Sequence, residues 1–559
     1  MPVIRVNIHD LEGLSGKKLS DKEIYKYLAK LKCEVELIHG DILEYEANSD
    51  RPDLFSVEGL ARALKPWLGI EWRDLDIRDS DIRGYAERIN ERPYVALAVV
   101  RDVVLSDEAI SQIMQLQEKL AMTYGRGRRK ASIGVYDLDK INPPIYYKSV
   151  DPNTVVFKPL GEQDEMTLRE ALFKTEKGRM YGYIIQEMPR YPVLMDSQRR
   201  VLSLVPVINS DHCKVTTETR NILIDSTGLS IDMVVNMVTI MAFNIAERSR
   251  SRIIEVVKVY HDNELVEAPR KERNKIHVNI RDINEIIGLD LSIRDVIELL
   301  SKHYYVVNVV NQDELIAEPP VYRLDVRTWI DVAEDVAIAY GYEKLGKEAD
   351  SLPASSSIGR IHPLEYISKR IREIMIGLEF TEIANYMMSN RAIQVDLFNT
   401  EYELFEVENP RSEKYTGLRV WLTPGLIEVI SENQEKSPKL TIFEVGDVVV
   451  PDMSMETGAR IDRRLGFAIT HEKATLTDGI AYVRAILKEL GLEVSFTEML
   501  LNGFLPERTV SVNVHGESLG FVGEVHPTIL YKIGIKNPVV IAEISLGKLL
   551  KIISHNILF

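Results

Sequence analysis

Cysteine is nearly absent. The 559 residues hold two, Cys33 and Cys213, far apart and in no CxxC or Cys/His ligand spacing. That excludes a disulfide framework and a structural zinc site, and it fits a reducing cytoplasm. Long apolar runs are missing too. The most apolar stretch, Met233 to Ala246, carries two asparagines and falls short of the ~18–20 residues that span a bilayer, so it reads as a buried helix. The opening residues MPVIRVNIHDLEG offer no apolar core of a signal peptide. The expectation is a soluble, cytoplasmic protein. GxxxxGK[ST], GxGxxG after a strand, HExxH and GxSxG are all absent, which excludes the phosphate-cradling, zinc-protease and nucleophile-elbow chemistries those motifs carry. The 11 histidines show no metal spacing. Positive charge is short as well: 69 Lys+Arg against 85 Asp+Glu leave −16. Bulk charge therefore does not coat nucleic acid, although a local basic patch still acts within a Debye length of about 10 Å.

The composition is otherwise globular, with 45% hydrophobic and 28% charged residues, and excludes disordered or collagenous chains. The length predicts roughly three to four domains. The patterning predicts an α+β multidomain chain of four units. Residues 1–90 form a first α+β unit, in which Ser20 and Glu23 have capping-box spacing and Ser56 precedes a helix carrying Val57, Leu60, Ala61 and Leu64. Residues 91–267 form one large unit of mixed α/β, with a strand over 93–105, a helix over 106–123, a basic loop Gly125–Lys130 and strands and turns over 199–230. Residues 268–346 form a small α+β unit with a helix capped by Ser292. The polar run 347–360 reads as a linker. Residues 358–559 open on a helix at Pro363 and continue as an antiparallel sheet with a further helix over 477–491.

Three constellations carry possible chemistry. Asp331, Glu334 and Asp335 share a helix face, with Asp325 just before them. Four hard oxygen donors suit Mg²⁺ or Ca²⁺; an N-cap at Asp331 followed by first-turn carboxylates fits the same spacing and is the commoner arrangement. Asn209, Ser210, His212, Asp225 and Thr227 lie in the turn-rich segment between apolar runs. They suit either a water held against an ester carbonyl, with Asp225 orienting it, or plain Asx-turns. Arg126, Arg128, Arg129 and Lys130 suit either a phosphate backbone or a solvated basic loop.

Read in order, Asn48–Arg62, Gly125–Lys130, Pro206–Asn209, Thr219–Asn221, Asp225–Gly228, Tyr322–Asp325, Asp331–Asp335, Tyr340–Tyr342 and Phe443–Gly446 resemble the β subunit of phenylalanyl-tRNA synthetase, of the archaeal/eukaryotic type, over essentially the whole chain. The resemblance implies an editing domain of mixed α/β, a small metal-binding domain and a class II synthetase-like antiparallel sheet domain lacking catalytic motifs. After Gly359 neither an FRxE-type arginine motif nor GxGxxxR occurs, and Arg419 near Leu422–Gly425 reads as structural. It also implies an α subunit partner that binds ATP, a heterotetramer of two α and two β chains, tRNA-Phe as substrate, and hydrolysis of mischarged Tyr-tRNA-Phe on this chain. Asp225, Thr227, Ser210, Asn209 and Glu118 fall at editing positions, as does Arg128. Arg126, Arg128, Arg129 and Lys130 are the implied RNA contacts, and Asp325, Asp331, Glu334 and Asp335 the implied Mg²⁺ ligands. The chain departs from the family pattern at Val205, where a proline is usual, and at Leu229, where a small hydroxyl residue is common.

Overall fold

A ten-stranded mixed sheet lies at the centre of residues 1–352, and the computed structural model shows why so many of its strands read as continuous apolar runs. They are covered on both faces. The structure describes residues 2–71, 75–261, 264–346, 359–437 and 439–556. Strand order is Ile208–Asn209, Val201–Leu204, Tyr191–Met195, Ile145–Val150, Asp76–Ala86, Ile253–Tyr260, Tyr94–Val100, Ile222–Gly228 and Ala131–Asp137, with Leu265–Ala268 against Ile253–Tyr260. Two pairs are parallel: Asp76–Ala86 lies between Ile253–Tyr260 and Ile145–Val150 and runs with both. The boundary expected at residue 90 is thereby corrected, since Asp76–Ala86 belongs to the large sheet. Its charge-studded sequence DIRDSDIRGYA hides a strand whose partners lie about 60 to 180 residues further on.

The Met-rich segment is the helix Ile231–Ile245, buried along nearly its whole length. It packs against Tyr94–Val100 and Ile222–Gly228, where Ser226 meets Met237. The helix Asp107–Met122, capped by Ser106, packs on Ala131–Asp137. A three-stranded sheet of Val3–Asn7, Ile42–Glu46 and Glu34–His39, with helices including Asp21–Ala29 under its Ser20/Glu23 capping box, shares one apolar core with the large sheet. Ser56 precedes the helix Val57–Leu64 but makes no side-chain cap; its hydroxyl instead meets Asn244. Residues 276–340 build a separate small core from the sheet Ile276–Asn279, Glu314–Glu318 and Val306–Val309 and three helices, the last being Trp329–Tyr340.

Residues 353–559 form a second unit. Its seven-stranded sheet is ordered Thr381–Glu382, Leu440–Pro451, Ala459–Thr470, Val539–Ser545, Glu517–Val525, Phe504–Val514 and Ser495–Glu498. Every pair is antiparallel except the short edge strand Thr381–Glu382. Helices Pro363–Gly377 and Leu476–Glu489 stand where the pattern places them. Arg419 is buried in an ion pair with Glu444 at 2.6 Å, a structural role as read from the sequence. Most of the expected linker, 347–358, lies outside the described residues. Among the described residues no helix is long and apolar enough to cross a membrane.

Candidate functional site

Strand register assembles the site. Ile222–Gly228 pairs antiparallel with Ala131–Asp137, setting Asp225 opposite Gly134 and Thr227 opposite Ser132. Because side chains alternate across a strand, Asp225, Gly134 and Tyr136 face one cavity of about 390 Å³. Helix Asp107–Met122 closes one side through Ile110, Met114, Gln117 and Glu118; Val205, Pro206, Val207, Ile208 and Asn209 close another. The walls are apolar and the polar groups sit at two ends. At one end Tyr136 donates its phenol hydrogen to Asp225 Oδ1 at 2.6 Å, with Asn209 Oδ1 3.5 Å from the same phenol oxygen. Asp225 is 3% exposed. Burial pushes its carboxyl up to about 6 against the lowering effect of the Tyr136 hydrogen bond and the Arg92 charge. Among the described residues Gln117 Oε1 is also buried without a hydrogen-bond partner.

At the other end Glu118 holds two cations. Arg128 Nη2 lies 3.3 Å from each of its oxygens and Lys177 Nζ donates to Oε1. Burial raises the Glu118 carboxyl, but Lys177 and Arg128 prevail and hold it below the usual range. Arg128 is itself buried, donates to the Pro206 and Val207 carbonyls, and stacks on Tyr181 at 4.0 Å. Against its expected RNA contact, both of its Nη groups are engaged within the protein. Arg126, Arg129 and Lys130 remain exposed on the same loop.

Two further candidates do not line the cavity. Thr227 accepts from Arg92 Nε at 2.9 Å and meets the Ser132 hydroxyl at 3.1 Å, forming part of the buried floor. Ser210 meets His212 Nδ1 at 2.9 Å and donates to the Lys158 carbonyl at 3.2 Å; neither Ser210 nor His212 lines the cavity. That pair resembles a nucleophile and its base by spacing alone. Cys213 does line the cavity, but burial pushes its thiol up to about 12, so it holds no thiolate near neutrality. Pro206, preceded by a cis peptide bond, is in the wall, whereas Leu229 faces a different cavity beside Arg92 and Arg129. Tyr136, Lys177, Ser132 and Arg92 were invisible as site residues in the sequence. The one available signal is the alternation Ser132, Gly134, Tyr136 along an otherwise apolar strand.

The four carboxylates expected to bind Mg²⁺ do not converge. Arg323 takes Asp325 at 2.7 and 2.9 Å and Asp335 at 2.8 and 3.0 Å, and Tyr305 donates to Asp335 at 2.6 Å. Asp331 accepts from the Arg327 and Thr328 backbone N–H groups in a capping box whose N-cap is Thr328. Glu334 pairs with Lys32 at 3.1 Å. A guanidinium between two of the four donors is the wrong arrangement for a divalent cation, which needs those oxygens turned toward itself. Among the described residues, the one acidic trio with oxygens within 4.8 Å of one another is Glu34, Glu36 and Glu46, at the protein surface.

Three family models match the chain: the phenylalanyl tRNA synthetase beta chain CLM domain over residues 349–546, the tRNA synthetase B5 domain over 276–342 and the B3/4 domain over 105–258. The last of these contains the cavity. The chain is 37% identical over 554 residues to the phenylalanine–tRNA ligase beta subunit of Thermofilum pendens, covering 99% of this chain and 98% of that one. It is 39% identical over 552 residues to the same subunit from Pyrobaculum aerophilum, covering 98% and 100%. A crystal structure of an N-terminal fragment of the phenylalanyl-tRNA synthetase beta subunit from Pyrococcus horikoshii matches with a TM-score of 0.58 at 37% identity, covering 61% of this chain and 100% of the fragment.

Proposed function

The chain belongs to the phenylalanine–tRNA ligase beta subunit family, and from that premise we propose that it works with an α subunit to charge tRNA-Phe and removes wrongly attached tyrosine in the cavity beside Asp225. ATP and amino-acid activation belong, in this reading, to the α subunit of a cytoplasmic heterotetramer of two α and two β chains. The observation that carries the hydrolytic part is the buried carboxylate at the end of an apolar cavity. Among the described residues Asp225 has a protein donor on Oδ1 alone. Phenylalanine and tyrosine differ by one hydroxyl, and an apolar pocket rejects the added hydroxyl only ~10²-fold. A second site that hydrogen-bonds the hydroxyl discriminates in the opposite sense, because phenylalanine would leave the second carboxylate oxygen unpaired.

The aromatic ring occupies the apolar walls, Asp225 accepts from its phenol, and the ester lies toward the mouth held by Glu118 and Lys177. Water attacks the ester carbonyl there. Covalent catalysis is disfavoured, since the cavity thiol is protonated and the Ser210–His212 pair points elsewhere. Positioning of the ester against water supplies the rate. The complex incubated with Tyr-tRNA-Phe should release tyrosine; an ester that survives as long as it does in buffer would end this reading.

The exposed basic groups Arg126, Arg129 and Lys130 are the contacts for the tRNA end. Each phosphate contact contributes about 0.7–0.9 to the slope of log affinity against log salt. Replacing all three with alanine should therefore lower that slope by about 2–3 in a titration of tRNA-Phe binding against salt. An unchanged slope would move the RNA to another surface.

A further inference from the structure

The Asp225 carboxylate is asymmetric in a way that the hydrolytic reading does not itself require. Tyr136 donates to Oδ1 at 2.6 Å, and among the described residues no donor reaches Oδ2. The two side chains come from adjacent strands, two positions apart in register, with Gly134 between them. A Cβ at Gly134 would overlap both Asp225 Oδ1 and the Tyr136 phenol oxygen. The close approach of phenol and carboxylate therefore depends on a missing side chain. The Tyr136 ring is fully buried, which holds its hydroxyl in place.

We propose that Tyr136 is the positioning residue that makes this cavity selective for a hydroxylated aromatic acyl group: its phenol O–H occupies Asp225 Oδ1 and leaves Oδ2 as the acceptor that a ligand hydroxyl must fill. A free carboxylate rotates to satisfy whatever donor enters, including water. A carboxylate pinned through one oxygen presents the other in a fixed direction, and a ligand lacking a donor there leaves that second buried oxygen unfilled. Tyr136 also keeps the group ionised, since its hydrogen bond opposes the effect of burial. The charged and titratable groups around Asp225 are Tyr136 on the neighbouring strand, Arg92 and Tyr147, Cys213 and Lys214 in the wall, and Glu118, Arg128 and Lys177 toward the mouth. Of these, burial drives Tyr136 well above its ordinary value and Cys213 to about 12, and Glu118 lies below the usual carboxylate range. Asp225 is the carboxylate among them that titrates near pH 6.

The inference deepens the hydrolytic reading and takes the acyl group from it, but its test does not need hydrolysis. Binding of 3′-(L-tyrosylamino)-3′-deoxyadenosine and its phenylalanyl counterpart, which carry amides that resist cleavage, is measured calorimetrically on the full chain. The wild type should prefer the tyrosyl probe by at least about tenfold, the worth of one hydrogen bond to a charged group. Tyr136→Phe keeps the ring and should erase most of that preference. It should also move the acid midpoint of tyrosyl-probe binding to higher pH, because the group that stabilises ionised Asp225 is gone. Site-specific 3-fluorotyrosine at position 136 retains the hydroxyl and should retain the preference. In an Asp225→Asn background Tyr136→Phe should leave the ratio unchanged. A folded Tyr136→Phe with the wild-type ratio and midpoint would overturn the proposal, as would loss of preference in the fluorotyrosine protein. If the probes behave as expected while Tyr-tRNA-Phe is not hydrolysed, the hydrolytic reading fails and this inference stands.

Discussion

Asp225→Asn in the assembled complex should slow hydrolysis of Tyr-tRNA-Phe by roughly one to two orders of magnitude, the worth of a charged acceptor replaced by a neutral one. The same substitution should make the protein more stable above pH 6. Burial raises the folded-state carboxyl to about 6 from an ordinary value of 3.8. Between those two values the folded state binds more protons than the unfolded state, so stability falls as pH rises through the interval. Above it the cost of holding the buried charge is complete, and asparagine removes that cost. Thermal unfolding at pH 8 should shift upward in the variant, while the difference shrinks toward pH 4. Loss of activity coupled to gain of stability marks a group retained for function. A variant that loses both would be a structural residue, and one that keeps full hydrolysis would remove Asp225 from the mechanism.

Arg323→Met carries the largest expected effect on folding. It leaves buried Asp335 and nearly buried Asp325 without the guanidinium that both now share, and breaking one partner out of a buried ion-pair network costs about 3–5 kcal/mol. The disturbance extends further, since Arg51 and Asp53 form a second buried pair at 2.9 Å whose charges act on Arg323 and Asp325. Urea unfolding should show an early transition in Arg323→Met that partly recovers in Arg323→Met with Asp335→Asn, because the second change removes the orphaned charge. Magnesium should leave the wild-type midpoint unmoved. A midpoint that rises with millimolar Mg²⁺ would return these carboxylates to a metal and contradict the ion-pair account.

Several local signals hold where the partners lie within a few residues, although Ser56 makes no side-chain cap and the N-cap expected at Asp331 is Thr328. The Ser20 and Ser292 capping boxes, the helix opened by Pro363 and the buried helix Ile231–Ile245 all stand as their patterns imply. Asp225 and Thr227 share a strand face, as their spacing predicts, yet only Asp225 reaches the cavity, because Arg92 and Ser132 draw Thr227 into the floor. Tyr136 lies 89 residues from Asp225, and no local pattern announces a register between strands that far apart. The carboxylates show the same limit. Their spacing is compatible with a metal, and in this structure Arg323 and Lys32 pair with three of them. Lys32 lies 302 residues from Glu334. The strand Asp76–Ala86 is hidden from the sequence for a related reason: its pairing is long-range and parallel, and its alternating charges resemble a surface loop.

The cavity beside Asp225 is proposed to read the tyrosine hydroxyl on a charged tRNA. Side-by-side deacylation of Tyr-tRNA-Phe and Phe-tRNA-Phe by the wild-type complex tests it most directly. The account predicts kcat/KM higher for the tyrosyl ester by at least about a hundredfold, the discrimination that the first sieve leaves to be supplied. Equal rates on the two esters, or faster loss of phenylalanine, would contradict it.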